Sequence, residues 1–117
     1  MVIATEEVLK TFKPDSLYYV NILLNITFIC DCWGMSAASI VPDIGILGSD
    51  DIVAIEKASL DLITPENFNP KSLPKDKELR EGKHIFEQIW GKDPYTQVEI
   101  AARRNLGNPD YIIEEIK

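Results

Sequence analysis

The chain has 117 residues, room for one domain around one core. Its 12 Lys and Arg stand against 19 Asp and Glu, a net charge of −7, and the basic residues are scattered apart from Arg103-Arg104; such a surface repels phosphate backbones, so nucleic acid is not an expected partner. No apolar run reaches the ~20 residues of a membrane helix, and the start MVIATEEVLKTF is acidic and lacks a signal-peptide core, so a cytoplasmic protein with reduced thiols and no membrane partner is expected.

Thr5 to Phe12 places Val8, Leu9 and Phe12 at helical spacing, with Thr5 as candidate N-cap. Pro14 ends that helix. The stretch Leu17 to Cys32, LYYVNILLNITFICDC, then alternates. Tyr18, Val20, Ile22, Leu24, Ile26, Phe28 and Cys30 are apolar, and the other register is mixed. Period two predicts a strand with one dry face and one mixed face. A straight strand of this length would span roughly 45 Å at about 3.3 Å per residue, so a bulge or bend is expected between Asn25 and Thr27. Ile40 to Gly48 reads as a second strand, with Pro42 at its start or on an edge.

Ser49-Asp50-Asp51 opens a helix, with Ser49 or Asp50 as the expected cap. Ile52, Ile55, Ser59, Leu62 and Ile63 form its apolar stripe, and Thr64-Pro65 ends it. Residues 67–77, rich in Pro, Asn, Lys and Asp, read as a solvated connector. Helical spacing resumes from Glu78 to Trp90, closed by Gly91, and again from Tyr95 to Leu106 before Gly107. Tyr111 to Ile116 reads as a third strand, with a short helix as the alternative. The expected fold is α/β, a small mixed sheet with flanking helices, in a single domain over 1–117. Three strands make a thin sheet, and its exposed edge invites a second copy or a partner domain.

Cys30 and Cys32, the two cysteines of the chain, are the candidate metal ligands. At i and i+2 on an extended chain their side chains point the same way, roughly 6–7 Å apart at the backbone. Thiolates suit zinc or an iron–sulfur cluster. A cluster takes four cysteines, so a pair from each of two subunits would complete one. The plain alternative is two unliganded thiols at a strand end. His84 reads as a helix-flank residue, Lys57 as solvated and Trp33 as packing. Asp43, Asp50 and Asp51 could hold a cation near the helix start, but acids there serve as caps more often. No glycine-rich phosphate loop is present, and no Ser-His-Asp or Cys-His arrangement can be assembled around one histidine.

The runs YVNILLNITFICDCWG and IVPDIGILGSDDIVAIEKASLDLI, with the late helix ending in NLG and the tail YIIEEI, resemble the C-terminal part of the domain of unknown function 362 family. Many of its members carry ferredoxin-type four-cysteine motifs in a chain two to three times longer; this sequence has no such run. The resemblance covers roughly Leu17 to Ile116 and is most specific at Cys30-Asp31-Cys32 and from Pro42 to Asp61. It implies a metal or iron–sulfur role for Cys30 and Cys32 in a redox or electron-transfer setting, with Asp43 and Asp51 at matching positions. The alternative is a non-catalytic oligomerisation or protein-interaction module with no metal.

Overall fold

The computed structural model describes the backbone of residues 1–117 and every side chain except that of Asp31. Among the described residues the regular elements are α1 (Val2–Leu9), β1 (Tyr19–Leu23), β2 (Gly45–Ser49), α2 (Ile52–Leu62), α3 (Ile85–Trp90) and α4 (Thr96–Arg103), with short 3-10 turns at Asp31–Trp33, Pro65–Asn67 and Pro70–Ser72. β1 and β2 pair as a two-stranded antiparallel sheet, and helices flank it, as the α/β expectation requires. The predicted third strand does not form: residues 111–116 have no regular structure, and Ile112 and Ile116 are almost fully exposed. Contacts divide the chain into two compact units, residues 1–21, 47–61 and 95–117 in the first and residues 22–46 and 62–94 in the second.

The first unit is organised by two aspartates of the α2 region. The cap is Asp51, rather than Ser49 or Asp50. Its Oδ1 accepts from the N–H groups of Val53 (2.8 Å) and Ala54 (2.9 Å), and its own N–H donates to Ser49 Oγ. Its Oδ2 accepts from the Asn108 N–H at 2.7 Å, which ties the C-terminal segment to the start of α2. Gly107 is required by this contact rather than by helix termination, for a Cβ there would sit 2.1 Å from Asp51 Oδ1. The left-handed residue after α4 is Asn105, with φ 57°. α1 begins earlier than the pattern predicts, and Thr5 lies inside it, its hydroxyl donating to the Met1 carbonyl instead of capping.

The second unit has the larger continuous core: Ile40, Val41, Ile63, Ile85 and Ile89 are buried, with Ile26, Phe28, Phe68, Leu73 and Phe86 packed against them. Ile40 lies outside a regular strand, yet its N–H donates to Ile26 O (2.8 Å) and its carbonyl accepts from Asn69 N (2.7 Å). Residues 67–77 are held down here, with Ser72 buried and a 3-10 turn capped by Asn69. α3 is much shorter than the Glu78–Trp90 spacing predicts. His84 Nδ1 accepts from the Phe86 N–H and starts the helix there, while the Arg80 N–H and Lys83 N–H are taken by Gln88 O and Glu87 Oε2. Those bonds hold 80–83 beside α3 rather than in it. Gly91 ends α3 with φ 68°, as predicted.

Ile85, with no exposed surface, is expected to cost about 2–5 kcal/mol on truncation to Ala, read as a lowered midpoint in urea unfolding. Gly107→Ala is expected to cost about 1–2 kcal/mol by displacing the Asp51 cap; a variant as stable as the parent would show that the tail does not depend on this contact.

Candidate functional site

Leu17 to Cys32 is strand only from Tyr19 to Leu23. The expected bend is present: Asn25 has φ 50°, and its N–H donates to the Asp43 carboxylate at 2.7 Å. Asn25 Oδ1 in turn accepts from Ser39 Oγ at 2.7 Å. The bend separates one apolar register into two fates. Beyond it, Ile26 and Phe28 pack into the second unit's core. Before it, Tyr18, Val20, Ile22 and Leu24 are 69, 57, 63 and 47 % exposed. The register predicted to be dry is therefore outward on β1, and the mixed register of Tyr19, Asn21 and Leu23 is inward. The reason is visible at Asn21 in the first unit. Its amide donates to Ser59 Oγ (2.9 Å) and Glu56 Oε1 (3.1 Å) of α2, so a polar side chain is satisfied on the covered face. In the first unit Tyr18 lies over Gly48, where a Cβ would meet its hydroxyl at 2.6 Å. In the second, Ile22, Leu24, Ile44 and Ile46 are all exposed.

Cys30 and Cys32 flank the start of the Asp31–Trp33 turn, and both are exposed thiols. The Trp33 N–H donates to Cys30 O (3.1 Å), and the Cys32 N–H reaches Cys30 Sγ at 3.4 Å. These contacts fold the Cys30 side chain back over the turn. The Cys32 thiol is held above its ordinary pKa, by hydrogen bonding with the Cys30 side chain first, then by desolvation and the Cys30 charge. The extended strand expected to carry the pair ends at Leu23, so the two cysteines lie on a turn instead. Two sulfurs are half of what a tetrahedral zinc site or a cluster takes, and among the described residues no group of three or more His, Cys, Asp or Glu comes together. One chain does not fit a cluster by itself.

The other candidates have structural roles. Asp43 holds the Asn25 bend and Asp51 caps α2. His84 is buried and caps α3, instead of lying on a helix flank. Trp33 is 72 % exposed, so it does not pack as expected. Trp90 is the packed indole, stacked on Phe28 and donating to its carbonyl at 2.9 Å.

Sequence reasoning missed Asp61. Its carboxylate accepts from the hydroxyls of Tyr95 and Tyr111, both at 2.7 Å, and from Lys57, whose ammonium also lies 5.1 Å from the Tyr95 ring centre. Burial works to raise the Asp61 pKa, but the donors Lys57, Tyr111 and Tyr95 together leave it lowered. Tyr111 is pushed up to about 12, by burial first and then by its bond to Asp61. The partners are 34 and 50 residues from Asp61 in sequence, and no local pattern links them. An apolar groove of about 260 Å³ in the same unit is lined by Thr5, Ile52, Val53, Glu56 and Val98 among others.

A raised phenol pKa in the folded state stabilises the fold fully below the unfolded value near 10, and the contribution is lost as pH rises towards 12. Tyr111→Phe is therefore expected to lower stability by about 1 kcal/mol near neutral pH. Thermal melts should show the gap to the parent closing as pH rises through 10 towards 12; no gap at neutral pH would show that the Tyr111–Asp61 bond contributes nothing.

No family model, no curated protein and no solved structure matches this chain.

Proposed function

We propose that the chain is a non-catalytic protein-interaction module whose outward strand face is covered by a second copy of itself. The observation that carries this reading is the stripe of Ile22, Leu24, Ile44 and Ile46 in the second unit, four apolar side chains on and beside the paired strands, 63, 47, 36 and 66 % exposed. Single exposed apolar residues are ordinary, but a contiguous stripe marks an interface. The stripe carries no charge, whereas the chain as a whole carries −7. Two copies repel over most of their surface, which leaves this stripe as the place where self-association is least opposed. An isologous contact sets the same residues against each other about a two-fold axis, and sheet faces pack well in that way. With two strands in the sheet, unpaired strand edges offer a second route to the same partner.

Light scattering on the size-exclusion peak is the test. The parent is expected to elute as a dimer at tens of micromolar, and Ile22→Glu with Ile46→Glu as a monomer with unchanged circular dichroism. Cys30→Ser with Cys32→Ser should leave the dimer intact. A parent that stays monomeric at about 100 μM, a Kd weaker than ~5.5 kcal/mol of association supports, would sink the proposal.

A second reading is favoured by the turn that folds Cys30 Sγ back to the Cys32 N–H. In it, Cys30 and Cys32 of a cytoplasmic, reduced protein bind a metal or an iron–sulfur cluster in a redox or electron-transfer setting. Zinc or a cluster would need the pair from a second chain, or donors from a partner domain. Elemental analysis of anaerobically purified protein, with the double serine variant as control, tests it: equal metal content in the two would remove the reading.

A further inference from the structure

Zinc and iron–sulfur clusters want four donors, but some ions want two. Soft monovalent ions with a filled d shell form low-coordinate complexes with thiolates, and soft sulfur ligands select Cu(I) over harder metals. Three features of the Cys30 turn match that demand. The turn already folds Cys30 Sγ back to within 3.4 Å of the Cys32 backbone nitrogen, so little rearrangement is needed for both thiols to face one ion. Both are exposed, so an ion delivered from solution or from another protein's thiols can reach them. Sulfur is also concentrated here. The chain has two Cys and two Met, and three of those four residues lie between positions 30 and 35, Met35 being 54 % exposed. Among the described residues no hard-donor group of three gathers anywhere to compete for a zinc-like ion.

We infer that Cys30 and Cys32 form a two-coordinate site for a single Cu(I) ion within one chain. The inference rests on the second reading above, that the pair binds metal, and it names the ion. Binding replaces two S–H bonds by two S–Cu bonds. One Cu(I) enters, two protons leave, and the bis-thiolate complex carries one negative charge. No electron is transferred, so the copper must arrive reduced. An exposed pair of this kind suits an ion in transit, passed from thiolate to thiolate by exchange, better than an ion held permanently. Trp33, adjacent to Cys32 and 72 % exposed, is placed to report the event.

The test uses the full chain, reduced and free of oxygen, titrated with Cu(I) buffered by the chromogenic chelator bicinchoninate, and in separate arms with Zn(II) and with Fe(II) plus sulfide. Native mass spectrometry gives stoichiometry, and indole fluorescence gives a second readout. The expected result is one Cu(I) per chain with quenched fluorescence. Cys30→Ser and Cys32→Ser should each weaken binding more than about 100-fold, since each removes one of two donors, and Zn(II) should bind comparably weakly. Because both thiols are exposed, these variants should melt with the parent, which is checked by circular dichroism. Tighter binding of Zn(II) or a cluster than of Cu(I), or one ion shared by two chains, would overturn the Cu(I) assignment and leave the metal reading standing. Failure of every ion to bind the parent would overturn both.

Discussion

The N–H of Asn25 donates to the Asp43 carboxylate, and the Asn25 side chain is held by Ser39, at the point where the backbone takes a positive φ. Asparagine tolerates that conformation better than most residues because its short amide can bond locally. This bend determines what the second unit contains. Beyond it, Ile26 and Phe28 turn into the cluster of Ile40, Val41, Ile63, Ile85 and Ile89. Before it, the same apolar register runs outward. Without the bend, the register could not serve the core at one end and solvent at the other. The interaction proposal and the position of the Cys30 turn both follow from it.

The first unit depends on carboxylates instead. Asp51 and Asp61 lie ten residues apart at the two ends of the α2 region, and each draws in backbone or side chains from the C-terminal segment. A helix packed only by its apolar stripe would leave that segment loose. Ion pairs at the surface, such as Glu6 with Arg104, contribute little by comparison. The exchange is typical of a small chain, in which a modest apolar core is supplemented by polar contacts that specify where the ends of the chain go.

Interaction and metal binding put different demands on the chain. The outward stripe needs only apolar area and shape. The thiol pair needs only local geometry, supplied by a short turn whose hydrogen bonds fold the Cys30 sulfur back to the Cys32 amide. Neither draws on the Asp61 cluster, in which two phenols and an ammonium are committed to one carboxylate. That cluster looks like an acid–base site in composition, but its hydrogen bonds join α2 to distant segments of the same unit, so it reads as a fastener.

Local chemistry was legible from residues alone. The stripe of α2, the glycine that ends α3 and the bend at Asn25 each depend on neighbours within a few positions, where spacing and side-chain type decide the outcome. The length of α3 was not legible, because His84 became a cap only once 80–83 had found partners along the helix. The third strand was not, because strand-forming residue types in 111–116 do not by themselves supply a neighbouring strand to pair with. Asp61 was not, because its tyrosines arrive from far along the chain. Most instructive is β1. Period two establishes that two faces differ, but says nothing about which of them meets the helix. Only the folded chain, by giving Asn21 its partners Ser59 and Glu56 on α2, decided that the oily side would face out.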